Sequence, residues 1–123
     1  MIRALLIFMA FILASPVMAE TPQQSPQESP QQRWIGDVPI MDNMSIESDL
    51  GFAFDSPDGR IVVIYVSGAS DKSDVQDYYD MALIPLGWEA VADLAWHRQN
   101  ERLVISSAQA GETNLWKIAI MPE

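Results

Sequence analysis

The segment from Ser70 to Trp88 constrains the fold most, because its apolar residues recur at the spacing of an amphipathic helix. Ser73 and Gln76 predict a capping box at the helix start. Pro85 and Gly87 predict its end, after which Trp88 folds back as an apolar plug. The apolar stripe comprises Val75, Tyr78, Tyr79, Ala82 and Leu86. A helix this short is marginal alone, so we expect it to pack on a sheet.

Strand-like patterns lie on both sides of this helix. Before it, Leu50–Phe54 places Phe52 and Phe54 on one face, and Ser56–Gly59 predicts a tight turn into the β-branched strand Arg60–Ser67. After it come the segments 89–92, 95–99, 102–109 and 114–121, of which 89–99 is either one bent strand or two. Residues 34–41 form an extended lead-in. The prediction is an α+β fold, one helix on an antiparallel sheet in the order β-β-α-β-β-β.

The N-terminal third divides into two segments that precede this domain. Residues 1–19 carry Arg3, an apolar run and a small-residue site ending at Ala19, which predicts a signal peptide cleaved before Glu20. An uncleaved membrane anchor is the alternative. Residues 20–33 are rich in Pro and Gln and without hydrophobic residues, so we expect a disordered linker, or a spacer if the anchor is kept. Residues 34–123 then form a single α+β domain.

Charge and cysteine content narrow the classes of function. Without residues 1–19, and thus without Arg3, 6 Lys and Arg face 17 Asp and Glu, a net charge of −11. This charge disfavours nucleic acid and anionic lipid as partners, so membrane contact is expected only through a retained signal. The chain has no cysteine, which excludes disulfides, thiolate metal sites and a lipid-modified cysteine. We predict a periplasmic or secreted protein.

A catalytic histidine would have to be His97, the one histidine of the chain, with Ser67, Ser106 or Ser107 as nucleophile. No Gly-x-Ser-x-Gly elbow surrounds any of these serines. A single strand histidine is more often a surface or half-buried side chain. We therefore predict no enzyme activity and no catalytic residue.

Two groups of residues in the sequence are candidates for a metal site. Aspartates recur every third residue at Asp71, Asp74, Asp77 and Asp80, and Asp55 and Asp58 flank a turn, but neither pattern has the ligand spacing of a calcium loop. Thioethers can bind Cu(I), and a soft site could combine Met41, Met44, Met81, Met121 and His97. Methionine more often fills core gaps. We predict no metal and no cofactor.

The helix closing in Leu-x-Pro-Leu-Gly-Trp, with Tyr-Tyr near its middle, resembles small uncharacterised bacterial secreted or lipoprotein-like domains. The resemblance covers residues 38–121, and the residues that carry it are Pro39, Met41, Phe54, Gly59, Arg60, Tyr78, Tyr79, Pro85, Leu86, Gly87 and Trp88. The resemblance implies an envelope location and supplies no catalytic residues. Together these observations predict a non-enzymatic module that binds another envelope protein, and the exposed edges of a small sheet can accept a strand of such a partner. The alternative is a small-molecule or metal-binding protein.

Overall fold

A computed structural model describes residues 29–123. The predicted signal peptide, 1–19, and residues 20–28 of the predicted linker lie outside this range. The elements, in chain order, are α1 (Pro30–Ile35), β1 (Ser45–Ile46), β2 (Phe52–Ser56), β3 (Gly59–Ser67), α2 (Lys72–Leu83), a 3₁₀ turn (Ile84–Leu86), β4 (Glu89–Ala92), β5 (Ala95–Arg98), β6 (Glu101–Ala110) and β7 (Thr113–Pro122). Among the described residues, no helix is long and apolar enough to cross a membrane.

All seven strands belong to one antiparallel sheet with the order β1-β3-β7-β6-β5-β4. The outer side of β3 is shared by β2, which pairs with its first half, and β1, which pairs with its end. Tight turns join β2 to β3, as the sequence predicted, and β6 to β7. The class is therefore α+β, as predicted, with most of the regular structure in strands.

The core lies between the helices and one face of the sheet. Val75, Tyr79 and Leu83 of α2 are fully buried. Beneath them lie the sheet residues Val62, Ile64, Val66, Trp96, Leu103, Ile105, Ile118 and Ile120. Tyr78, Leu86 and Trp116 pack on this core while half-buried. Burying a side chain of this size contributes about 1.5–3 kcal/mol, so this seam is the main source of stability.

The observed order adds two elements to the predicted order β-β-α-β-β-β. A helix, α1, comes first, and a two-residue strand, β1, follows it. Residues 89–98, counted once in the predicted order, form two strands, β4 and β5, which is one of the two alternatives that the sequence left open. The turn between β4 and β5 places Leu94 at a positive φ of 53°. Its side chain is buried, so packing holds this strained backbone conformation.

Residues 29–33, which the sequence assigned to a disordered linker, belong to the first helix and its N-cap. Ser29 and Gln32 form a capping box around a helix that begins at Pro30. Gln31 is buried and donates a hydrogen bond of 2.8 Å to the Ser48 carbonyl. Ile35 enters the core. The helix thus depends on contacts with distant residues, which composition alone does not reveal.

The second helix begins two residues earlier than predicted. Asp71, and not Ser73, is the N-cap, and its side chain accepts a hydrogen bond of 2.9 Å from the Asp74 amide. Gln76, the expected second half of the capping box, instead accepts a hydrogen bond of 2.7 Å from the Leu94 amide. This side chain therefore ties the helix to the β4–β5 turn.

The end of the helix agrees with its prediction. Gly87 adopts a left-handed φ of 91°, with its amide bonded to the Ile84 carbonyl at 3.0 Å. The Trp88 amide reaches the Leu83 carbonyl at 3.1 Å, which completes a Schellman motif. Trp88 is fully buried, so it is the apolar plug expected from the sequence.

Candidate functional site

The two faces of the sheet have different surroundings. Successive side chains of a strand point to opposite faces, and the even-numbered residues of β3 and β7 face the helices. The opposite face carries no described helix. We call it the open face; on its central strands it is formed by Phe52, Phe54, Ile61, Val63, Tyr65, Arg102, Val104, Ser106, Lys117, Ala119 and Met121.

Two exposed phenylalanines mark one end of the open face. Phe52 and Phe54 stack with ring centroids 5.8 Å apart. Their side chains remain 48% and 51% exposed, and Met121 on the same face is 37% exposed. Exposed apolar residues that adjoin one another are a candidate for an interaction surface. The sequence placed both phenylalanines on one face but could not show that this face lacks a cover.

The middle of the open face is a row of small residues that pair across the strands, namely Val63, Ala119, Val104 and Ala95. Val63, Ala119 and Ala95 are buried although no described element covers them. The row is flanked on one side by Tyr65 and Lys117 and on the other by Met121 and Arg102.

The open-face positions of β2, β3, β6 and β7 carry positive charge, although the whole chain is acidic. No open-face position of β2, β3, β6 or β7 is Asp or Glu. Arg102 and Lys117 are the basic residues there, and within residues 29–123 neither forms an ion pair. Arg60, Lys72 and Arg98, which lie elsewhere, are each paired with a carboxylate. The nearest acids of this face lie towards β4, where Glu89 and Glu123 flank His97.

The structure places His97 away from the candidate nucleophiles. His97 is half-buried, and its Nδ1 lies 2.6 Å from Oε2 of Glu123. Ser106 shares the open face, but it lies four residues further along β6 than Arg102, the cross-strand partner of His97. Four residues of strand span about 13 Å. Ser107 points to the helix side, and Ser67 lies at the far end of β3.

The aspartates of α2 have separate structural contacts. Asp71 caps the helix, and Asp80 accepts a hydrogen bond of 3.1 Å from Nε1 of Trp96. Asp74 and Asp77 are exposed on the helix surface. Within residues 29–123, no three His, Cys, Asp or Glu side chains are grouped as a metal site would require.

The methionines weighed as a copper site are divided between the two sides of the sheet. Met44 is buried in the core and Met41 packs against it. Met81 is 80% exposed on α2, whereas Met121 and His97 belong to the open face. The sheet thus separates the two halves of the proposed ligand set. The space between helix and sheet is filled by Tyr79, Trp96 and their neighbours.

A groove of about 650 Å³ lies where the β6–β7 hairpin meets the loop before α2. Its lining includes Ser70, Gln109, Asn114 and Trp116. The amides of Gln109 and Asn114 bond to each other at 3.2 Å, and Nε1 of Trp116 donates to the Ser70 carbonyl at 3.3 Å. These polar groups already bond within the protein, so they are not free to bind a ligand in the groove, despite its size.

The chain matches no protein-family model, no curated protein and no solved structure. The resemblance to secreted and lipoprotein-like domains therefore stays a prediction. We identify the open face as the candidate site from its geometry alone.

Proposed function

We propose that this protein is a non-enzymatic interaction module of the bacterial envelope, which binds a partner protein through the open face. The observation that carries the proposal is the stacked, half-exposed pair Phe52 and Phe54. Covering an exposed aromatic side chain with apolar atoms is favourable by about 1–2 kcal/mol. Aromatic residues are enriched in the energetic centres of protein interfaces.

The envelope location is supported by the predicted signal peptide at residues 1–19. A net negative charge keeps such a domain soluble while one face stays apolar. The acidic residues Asp74 and Asp77 lie on α2, away from the open face, so they do not oppose docking there.

The face is a better docking surface than the sheet edges that the sequence suggested. At one edge, β4 has only four residues and its pairing with β5 is interrupted by a bulge between Ala90 and Ala92. Short and bulged edge strands resist pairing with another chain. At the other edge, β1 and β2 are separate short strands. Neither edge offers a long, regular row of free amide and carbonyl groups.

Photo-crosslinking in living cells of the source organism tests the proposal. The photoreactive residue p-benzoylphenylalanine replaces Phe54 in one strain and Met81 in a control strain, since Met81 is exposed on the opposite side of the molecule. We expect a discrete crosslinked product from position 54 that contains a second envelope protein, and none from position 81. Equal products from both positions, or none from position 54, would contradict the proposal.

A further inference from the structure

The chemistry of the open face restricts what its partner can present. Lys117 and Arg102 are the cations of this face, and each lacks an ion-pair partner within residues 29–123. Three other cations of the domain, by contrast, are paired within it. Unpaired cations beside an apolar surface favour a partner that brings carboxylates.

The spacing of the two cations along the sheet is set by the strand register. Lys117 lies four residues from Met121 on β7, and Arg102 on β6 is the cross-strand partner of Met121. At 3.3 Å per residue the two positions are about 13 Å apart along the strand direction. In an extended peptide, residues i and i+4 are separated by the same distance and point to the same side.

The surface between the two cations is small and apolar. Ala119 lies midway between Lys117 and Met121 on β7, and Val104 is its partner on β6. Ala119 is buried, so the half-buried Val104 is the apolar side chain here that a partner can contact. In the same extended peptide, the residue at i+2 would project onto Val104, between the two carboxylates.

Resting on the proposed function, we propose that the open face binds an extended segment of the partner protein with the pattern acidic-x-apolar-x-acidic. Its two carboxylates pair with Lys117 and Arg102, and its central aromatic or aliphatic side chain covers Val104.

Fluorescence anisotropy with the full mature chain tests this pattern. The probe is a labelled peptide with the core Asp-Ser-Phe-Ser-Asp. Three comparison peptides replace both Asp by Lys, replace Phe by Ser, or move one Asp to i+3, which points it to the opposite side. We expect each comparison peptide to bind about ten-fold more weakly, a difference of about 1.4 kcal/mol. Equal binding of the Asp and Lys peptides would overturn the proposal.

Charge reversal on the protein provides the complementary test. Lys117→Glu and Arg102→Glu should each weaken binding of the Asp peptide about five- to ten-fold, with near-UV circular dichroism to verify the fold. Lys72→Glu is the matched control, because Lys72 lies on α2, and it should leave binding unchanged. Binding should also weaken with added salt. If all three variants bind alike, the cations of the open face have no role.

Two other ligands of the open face, nucleic acid and a second copy of the chain, would give different results. A single-stranded oligothymidylate that binds as tightly as the Asp peptide would overturn the assignment in favour of nucleic acid. A dimer in analytical ultracentrifugation that Lys117→Glu dissociates would overturn it in favour of a second copy of the chain. Failure of the proposed function is separable: if crosslinking at position 54 persists while Lys117→Glu and Arg102→Glu change nothing, the open face binds a partner but not this pattern.

Discussion

The hydroxyl of Tyr79 donates a hydrogen bond of 2.9 Å to the carbonyl of Pro39, which joins the centre of α2 to the segment that leads into the sheet. Tyr79 is fully buried, and burial raises the pKa of its hydroxyl, so it remains a neutral donor in any physiological medium. The bond explains how residues 36–44, which form no helix or strand, are held against the core.

Replacing Tyr79 by Phe should therefore lower the free energy of unfolding by about 1–2 kcal/mol, because the Pro39 carbonyl loses its donor in a buried setting. Urea unfolding followed by tryptophan fluorescence measures this loss. Tyr78→Phe is the matched control, since Tyr78 is half-buried and its ring contacts Tyr79 edge-on. Tyr78→Phe should lower the free energy of unfolding by less than about 0.5 kcal/mol. Equal losses in the two variants would show that the Pro39 bond is not the cause.

The position of the helix start gives a second prediction. Asp71→Ala should lower the free energy of unfolding by about 1 kcal/mol, because the Asp74 amide loses its acceptor. Ser73→Ala, at the start predicted from sequence, should have an effect within about 0.5 kcal/mol. Thermal and urea unfolding of both variants decide between the two caps. A larger loss at Ser73 would contradict the observed helix start.

The pair of Asp37 and Arg98 makes part of the stability depend on pH. The Arg98 guanidinium donates a hydrogen bond of 2.9 Å to Asp37, which holds the pKa of that carboxyl below its usual value of 3.8. A carboxyl with a lowered pKa in the folded state stabilises the protein above its unfolded-state pKa, and this contribution disappears as the pH falls through the folded-state pKa.

Asp37→Asn should therefore destabilise the protein at neutral pH and have progressively less effect below about pH 4. Asp37 is partly exposed, so the loss at neutral pH should stay below about 1 kcal/mol. Urea unfolding of the two proteins across this pH range measures the difference. A difference that stays constant down to pH 2 would mean that the carboxylate has no part in the effect.

Helices cover one face of the sheet but not the other. Shortening a side chain should therefore lower the free energy of unfolding more on the helix side than on the open face. Ile118→Ala, on the helix side, should cost about 2–5 kcal/mol because it leaves a cavity in a packed core. Phe54→Ser, on the open face, should cost about 1 kcal/mol, since half of its surface is already in water. Chemical unfolding of both variants tests this ranking. A loss at Phe54 as large as that at Ile118 would show that the open face is covered within the domain.

The elements that are determined by residues adjacent in the sequence could be predicted from it. The Schellman motif at Gly87 and the β6–β7 hairpin around Gly111 have local signals, and both are present. The helix α1 was missed because Gln31 and Ile35 are held by residues far along the chain. The strand β1 was missed because its two residues are defined only by pairing with Val66 and Ser67.

The helix start and the open face show two further limits. Asp71 and Ser73 are both good capping residues, so local preference could not choose between them. Contacts outside the helix hold the residue before the cap: Asn43 and Trp116 both bond to Ser70. Likewise, the alternation of residues in β2 and β3 indicates two apolar faces but not which of them the helices cover. The candidate site became visible only with the tertiary arrangement.

Oxidation of methionine by peroxide, read by mass spectrometry, tests most directly the central claim that the open face is uncovered in the free domain and covered by a partner in the cell. In the purified chain, Met81 and Met121 should oxidise well before the buried Met44. In intact cells, oxidation of Met121 should fall relative to that of Met81, because the partner covers only the open face. The account is contradicted if the ratio of Met121 to Met81 oxidation is the same in cells and in the purified chain.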